Sequence, residues 1–279
     1  MRDLGGKTAF VTGGASGIGL AMGRACAEAG MNVMLADIED KALDDAVARL
    51  KAVSADVRGV CCDVTQYDSV ERAAETAVAA FGKIHLVCNN AGVTSRESDD
   101  ISLSDWRWVI DVNLMGVVHG VRAFLPHLTR HGEGGHFVNT ASMAGFLPGI
   151  GFSPYVATKF AVVGMSEGLA IKLASAGIGV SILCPGWVNT EISNSARNRQ
   201  AAYGAAPARQ PTPLEEKLAN LVKNGMSPDE VAALVLKAVE ENALYVFTHP
   251  HMRPPLEQRF ARALDAYRRL GPAPRELKQ

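Results

Sequence analysis

The chain has 279 residues, of which 48% are hydrophobic and 20% charged, with a formal net charge of −1. That length supports one large domain with its own core, and the near-neutral balance leaves no electrostatic footprint for nucleic acid. Five cysteines, an odd number without CxxC or metal-ligand spacing, mostly read as small core residues of a reducing compartment, and the seven histidines contain no HExxH, so no metal is expected.

In chain order, short apolar strands alternate with longer amphipathic helices, the pattern of an α/β doubly wound parallel sheet. Met1-Arg-Asp-Leu-Gly-Gly6 leads into a strand without an apolar leader, and no run approaches ~18 uninterrupted apolar residues. A cytoplasmic protein without a membrane partner is expected. Lys7 to Val11 reads as the first strand and ends in Thr12-Gly13-Gly14-Ala15-Ser16-Gly17-Ile18-Gly19, with a helix following to about Ala29. Glycines permit positive φ and let a pyrophosphate approach backbone N–H groups at the positive end of a helix. The spacing TGxxxGxG departs from GxGxxG but shares its mechanics. A second strand, Asn32 to Asp37, ends in a carboxylate about 20 positions beyond the glycine turn, where an acid binds the adenosine ribose hydroxyls and repels a 2'-phosphate. Ser16 stands in the turn where a cation would favour NADP, and the nearest downstream cation is Lys41. NAD is therefore the expected cofactor. An N-cap role for Asp37 or Asp40, before a helix over 41–51, is the competing use.

A third strand over 57–62 ends at Asp63-Val64, and a helix over 68–81 returns to a fourth strand over 85–88. That strand stops at Asn89-Asn90-Ala91-Gly92. Asp63 is a candidate acceptor for the adenine amino group and Asn89 a brace between strands, although both also suit a turn. A long helix from Ser104 to about Phe124 holds Asn113 in its interior, where asparagine is a poor helix former, and this suggests a polar role. His136 to Thr140 forms a fifth strand, with Ser142 in the loop beyond it. A helix from Pro154 to about Ser175 carries Tyr155 and Lys159 on one face. An ammonium ~4 Å from a phenol, at an effective dielectric of ~20, favours the phenolate by roughly 4 kcal/mol, on the order of three pKa units before desolvation opposes it. Such a tyrosine exchanges protons near neutral pH, and Ser142 is placed to hold a substrate oxygen. A sixth strand over 178–184 stops at Pro185-Gly186-Trp187-Val188-Asn189-Thr190.

TGGASGIG (12–19), NNAG (89–92), Asn113, Ser142, Tyr155-x-x-x-Lys159 and PGWVNT (185–190), in this order and spacing, resemble the short-chain dehydrogenase/reductase family over residues 5 to about 248. The resemblance implies a single-domain Rossmann fold with a seven-stranded parallel sheet, a nicotinamide cofactor and the catalytic set Asn113, Ser142, Tyr155 and Lys159. By analogy, Tyr155 is general base in alcohol oxidation and general acid in carbonyl reduction, while Ser142 fixes the substrate oxygen. Lys159 lowers the tyrosine pKa and binds the nicotinamide ribose, and Asn113 holds a water linking Lys159 to solvent. Cofactor contacts are implied at Gly13, Ser16, Gly17, Ile18 and Gly19 in the glycine turn, and at Asp37, Asp63 and Val64 after the second and third strands. Others follow at Asn90, Ala91 and Gly92, at Tyr155 and Lys159, and at Pro185, Gly186, Val188 and Thr190, with Thr190 meeting the carboxamide. A homodimer or homotetramer, packed through the helices carrying Asn113 and Tyr155, is also implied.

The loop from Met143 to Phe152 and Trp187 are apolar and large. Ser142, Ala144, Phe146, Phe152 and Trp187 are expected to line a pocket for a bulky hydrophobic or aromatic substrate; core or subunit contacts are their other use. Residues 191–226 show little periodicity before Leu214 and read as a substrate lid, or as a surface insertion. Ser227-Pro228-Asp229-Glu230 is a capping box opening a helix to about Glu241, and 243–248 forms the last strand of a dehydrogenase domain over 1–248. In the extension over 249–279, Leu256, Phe260, Leu264 and Tyr267 recur at helical spacing among Arg259, Arg262, Arg268 and Arg269. This amphipathic helix is expected to dock on its own domain or a neighbouring subunit. The Glu241 to Pro250 junction and the tail resemble a bacterial branch that includes lignin-derived aryl alcohol dehydrogenases. The expectation is an NAD-dependent dehydrogenase of a secondary alcohol or ketone, with a 3-oxoacyl thioester reductase or a nonenzymatic dinucleotide sensor as alternatives.

Overall fold

The computed structural model describes residues 1, 3–52, 56–94, 101–149, 153–205 and 210–268. Seven parallel strands, β1 (Thr8–Thr12), β2 (Asn32–Asp37), β3 (Val57–Cys61), β4 (Leu86–Asn89), β5 (Gly135–Thr140), β6 (Ile178–Cys184) and β7 (Tyr245–Phe247), lie in the order β3-β2-β1-β4-β5-β6-β7. Strands β1, β4 and β5 are buried along their whole length because helices cover both faces, which is why their sequences run apolar instead of alternating. The order reverses between β1 and β4, and a crevice opens there at the C-terminal strand ends.

On one face, α1 (Gly17–Glu28), α2 (Asp40–Lys51) and α8 (Pro228–Glu241) bury Met22, Leu43 and Val235 in a first core. On the other, α3 (Tyr67–Phe81), α4 (Leu103–Ile110) and α5 (Gly116–His131) contribute Val70, Trp108 and Phe124 to a second. A third, smaller core joins Met143, Phe146 and Cys184 to Val162 of α6 (Pro154–Leu173). The Ser227/Glu230 capping box is present as expected, with both of its side-chain to backbone bonds formed.

The expected helix from Ser104 is longer and is interrupted. Ser102, not Ser104, caps it, accepting from the Asp105 N–H at 3.0 Å. Residues Asp111–Met115 between α4 and α5 form a π-helical turn, and the helix then continues past Pro126 to His131. An inserted π turn re-aims the side chains within it and is common at functional sites. Asn113, the residue that fits an α-helix interior poorly, sits in this turn. The span Leu103–His131, with a mean hydropathy of 1.3, is long and apolar enough to cross a bilayer, but half of that apolar window is buried in this protein. Its apolarity belongs to the second core.

Asn89 braces the sheet: its Nδ2 donates to Asn139 Oδ1 at 2.9 Å, and Asn139 Nδ2 donates to Ser166 Oγ of α6 at 2.9 Å. Gly120 makes room for this pair, since a Cβ there would lie 1.9 Å from Asn89 Oδ1.

The segment over 191–226, expected to be a substrate lid or a surface insertion, contains 3-10 turns over Glu191–Asn198 and Ala201–Tyr203 and a capped helix α7 (Pro213–Lys223). The capping box Thr212/Glu215 that opens α7 precedes Leu214, where periodicity begins. The helix of the extension, α9 (Arg253–Arg268), forms but buries none of its residues. Leu256 packs against the third core and Arg259 stands over the Phe160 ring at 4.9 Å. The helix thus docks on its own domain through its N-terminal half, while Phe260, Leu264 and Tyr267 remain 45%, 63% and 72% exposed.

Candidate active site

The glycine turn between β1 and α1 is built for close approach. Gly13 and Gly17 take φ of 65° and 52°, and a Cβ on Gly19 would lie 2.0 Å from the Gly13 carbonyl oxygen. Thr12 ties the turn to the strand end at β4: its Oγ1 accepts from the N–H groups of Asn90 and Ala91 at 2.9 and 3.0 Å, and Asn90 Nδ2 donates to its carbonyl at 3.0 Å. Thr12 was visible in the motif, but its role as the lock between two loops is a product of the fold. Ser16 is the N-cap residue of α1 and makes no side-chain cap bond. The first-turn amides of α1 therefore keep their donors for an anion, and the helix dipole favours one there.

At the end of β2, Asp37 is 8% exposed and spans the turn. Its Oδ2 accepts from Ala15 N–H at 3.0 Å and its Oδ1 from Glu39 N–H at 3.1 Å. Burial raises its pKa and these two amides oppose that. Neither Asp37 nor Asp40 serves as N-cap of α2, whose cap position is Glu39 and makes no side-chain bond to the helix's own amides. Asp63 Oδ1 accepts from Thr65 N–H and Oγ1 at 2.9 and 2.8 Å and from Gln200 Nε2 at 3.0 Å. Val64 is buried beside Gly116, and its carbonyl contacts His119 Nδ1 at 2.9 Å. Arg197, remote in sequence, pairs with Glu39 at 2.9 Å. No local pattern places this cation beside the adenosine end.

At the other end of the crevice, Asn113 and Lys159 meet at Gly92, and Lys159 lies over the Tyr155 ring. A Cβ on Gly92 would lie 3.5 Å from Asn113 Oδ1 and 3.7 Å from Lys159 Nζ. Asn113 is fully buried; its Oδ1 accepts from Val93 N–H at 2.8 Å and its Nδ2 donates to Val93 O at 2.9 Å. Ser142 is held by the Ala144 N–H, which donates to its Oγ at 3.1 Å, and it acts to lower the pKa of the Tyr155 phenol. Lys159 is 3% exposed and donates to Thr140 O at 2.9 Å.

The electrostatics differ from the sequence-based expectation. Lys159 Nζ lies 5.5 Å from the centre of the Tyr155 ring, turned to a carbonyl instead of resting on the phenol oxygen. Burial raises the Tyr155 pKa, and Ser142 is what opposes that rise. Burial also lowers Lys159 to about 8. The three-unit fall expected for the phenol is thus absent from this geometry.

Pro185 O contacts Ser142 Oγ at 3.4 Å, and Gly186 N–H donates to Thr248 Oγ1 at 3.2 Å. Val188 is buried in the first core, while Thr190 stands over the glycine turn, its Cγ2 3.0 Å from where a Cβ on Gly17 would be. Ile18 packs partly against that core too. Of the expected pocket residues, Ala144 and Trp187 are partly exposed near Ser142 and Pro185. Phe146 is 7% exposed and packs edge-on against Tyr245 and Phe247, ring centres 6.0 and 5.5 Å away. Phe152 lies outside the described residues.

The glycine cradle, the uncapped helix terminus and the buried carboxylate at β2 fit a dinucleotide. Among the described residues, His85, His131 and Glu133 bring ligand-type atoms within 4.8 Å of one another at the N-terminal end of β4. Their nitrogens are already used. Thr8 N–H donates to His85 Nδ1 and Glu133 N–H to His131 Nδ1, at 3.2 and 3.1 Å, while the two Nε2 atoms contact Glu133 Oε2 and Ile84 O at 3.1 and 2.8 Å.

Comparison with known proteins gives the same answer as the cradle. Residues 7–201 match the family model for short chain dehydrogenases. A short-chain dehydrogenase/reductase from Burkholderia phymatum, solved in complex with NAD, superimposes with a TM-score of 0.90 at 38% identity, covering 99% of this chain and 100% of that one. The C alpha-dehydrogenase of Sphingobium sp. is 32% identical, over 100% of this chain and 92% of its own length. The 3beta-hydroxysteroid dehydrogenase 2 of Eggerthella lenta is 33% identical, over 87% of this chain and 91% of its own. With the sheet order, the glycine cradle and these likenesses in agreement, the chain belongs to the short-chain dehydrogenase/reductase family, as an NAD-dependent oxidoreductase of alcohols and ketones.

Proposed function

We propose that this enzyme interconverts a bulky, apolar secondary alcohol and its ketone, with Tyr155 as the proton-transfer group. The observation that carries the chemistry is the grouping of the Tyr155 phenol with a buried Lys159, whose Nζ lies 5.5 Å over its ring, and with Ser142, which acts to lower the phenol's pKa. Bound NAD supplies the hydride acceptor, held by the glycine turn, Asp37 and the first-turn amides of α1. Ser142 holds the substrate oxygen within reach of the phenol. Tyr155 takes the hydroxyl proton in oxidation and returns it in reduction. Lys159 orients the site through Thr140 O and supplies positive charge below its pKa of about 8. Asn113, held by Val93 on both its amide atoms, fixes the floor beside Lys159.

The substrate class rests on the apolar, partly exposed Trp187 and Ala144 next to Pro185 and Ser142 in sequence, which offer few of the hydrogen-bond partners that a sugar needs. The named substrate of the steroid dehydrogenase relative, a fused-ring alcohol, points the same way. The test is NADH formation from NAD, with NADP in parallel, across aryl, steroid, aliphatic and sugar secondary alcohols. Aryl or steroid alcohols should exceed sugars in kcat/KM by at least about 10-fold, the discrimination one apolar pocket can supply. Better turnover of sugars, or a preference for NADP, would sink the proposal. Turnover confined to 3-oxoacyl thioesters would support the reductase alternative.

Assembly as a homodimer or homotetramer through the helices carrying Asn113 and Tyr155 belongs to the same reading. Ile171 on α6 is 82% exposed, a large apolar side chain suited to a subunit contact. Sedimentation velocity should give a dimer or tetramer mass; a monomer at micromolar concentration would rule this out.

A further inference from the structure

The segment that leaves β6 does not merely lie on the surface. Thr190 packs over Gly17 of the glycine turn, and Ser195, 4% exposed, both accepts from Thr94 N–H at 3.0 Å and donates to Thr94 O at 3.1 Å. The chain then reaches the far side of the crevice. Arg197 Nη2 and Asn198 Nδ2 donate to Glu39 Oε1 at 2.9 and 2.8 Å, two residues beyond Asp37. Gln200 Nε2 donates to Asp63 Oδ1 at 3.0 Å, and Gln200 Oε1 accepts from the Trp108 indole at 3.0 Å.

The far anchor is of a different kind. Arg199 has a side chain only 5% exposed, paired with Asp105 at 2.6 Å and stacked over the Trp108 ring at 5.2 Å, and Tyr203 donates to Asp111 Oδ2 at 2.8 Å. By contrast, Arg197 and Glu39 are 30% and 29% exposed. A buried ion pair bonded on several sides holds its place, whereas a half-exposed pair is weak and screened by salt. The segment is thus fixed at α4 and latched at Glu39, where Arg197 to Gln200 face Ile38 to Ala42 across a cleft of about 630 Å³.

From this we infer that residues 197–200 form a strap across the adenosine half of the NAD site, with Glu39 as its latch and Gln200 as a positioning residue for Asp63. The inference rests on NAD binding and not on the choice of substrate. Among the described residues, the hydrogen bonds to the Asp63 carboxylate all end on Oδ1, so Gln200 and Thr65 orient the group and leave Oδ2 to meet the adenine amino group. Release of the dinucleotide then requires the Glu39 latch to open. A second consequence is that Glu39 neutralises Arg197, which would otherwise stand free beside Asp37 and attract a 2'-phosphate.

The experiment is a stopped-flow chase of bound NADH with excess NAD, followed by NADH fluorescence, on the full-length protein and its Glu39→Ala and Gln200→Ala variants. Glu39→Ala should speed NADH release about 10-fold, the effect of losing charge-assisted hydrogen bonds, and narrow the preference for NADH over NADPH. The KM for the alcohol at saturating NAD should not change. Amide hydrogen exchange over 195–203 should quicken in cofactor-free Glu39→Ala, a readout independent of turnover. Should Glu39→Ala fail to fold, the double variant Arg197→Met/Asn198→Ala removes the same latch from its other side and should show the same release rate. Release unchanged within about twofold in variants that still bind NADH would overturn the strap. Wild type that binds no NADH would instead overturn the cofactor site itself.

Discussion

Replacing Tyr155 with phenylalanine should lower kcat about 1000-fold while leaving NADH affinity within about fivefold. The first figure is the usual size of a lost general acid–base group, and the second is one lost hydrogen bond to the cofactor. The substitution removes only the phenol oxygen, so the ring keeps its packing against the second core and beneath Lys159. The pH profile gives the sign. Because burial holds the Tyr155 pKa above its ordinary value, the base form needed for alcohol oxidation grows as pH rises toward and beyond 10. The acid form needed for ketone reduction is already full at neutral pH. Oxidation should therefore climb with pH through the alkaline range, while reduction should fall only there. Lys159, near 8, shares that range, and the apparent pKa values belong to the pair. A Tyr155→Phe enzyme with kcat within about tenfold of wild type would exclude Tyr155 as the proton-transfer group.

Acid should unfold the protein through His136. This residue of β5 is 1% exposed, with Nε2 against Ser181 Oγ at 2.8 Å. Since the Ser181 hydroxyl donates to Ala243 O at 2.6 Å, the histidine Nε2 must be the donor to Ser181, and Nδ1 is left bare. A Cβ on Gly179 would lie 2.3 Å from that Nδ1, so only glycine lets the ring sit there. Burial lowers the His136 pKa from 6.5 to about 3. The folded pKa is the depressed one. The unfolded chain takes up a proton as pH falls through 6.5, whereas the folded chain does not until about 3, so stability present above 6.5 is lost progressively between those values. At roughly 1.4 kcal/mol per pH unit, the cost by pH 4.5 is about 2.5 kcal/mol. His85, also lowered mainly by burial, adds in the same direction. A His136→Gln variant should lose about 2.5 kcal/mol less than wild type between pH 7.5 and 4.5, measured by urea unfolding at each pH. Equal acid sensitivity in the two proteins would show that His136 is not the group responsible.

The periodicity and the local caps of the sequence determined the elements. Strands buried on both faces must be apolar throughout, a glycine turn must follow β1 if a helix is to start against a phosphate, and Ser227 with Glu230 closes its own bonds within one turn. These are short-range free energies, so they are readable without knowing what lies nearby. The positions of Tyr155 and Lys159 on one helix face were equally local. What lay around them was not. Only the tertiary structure turned the Lys159 ammonium to Thr140, drew Phe146 into the third core beside Tyr245 and Phe247, and placed Asn113 in a π turn where its amide meets both polar atoms of Val93. It also brought Arg197 to Glu39 and Gln200 to Asp63 across more than a hundred residues, and left the outer face of α9 in solvent. Each of these outcomes depends on which side chains the folded sheet makes neighbours and on the burial they then share. Distance along the chain carries no information about that.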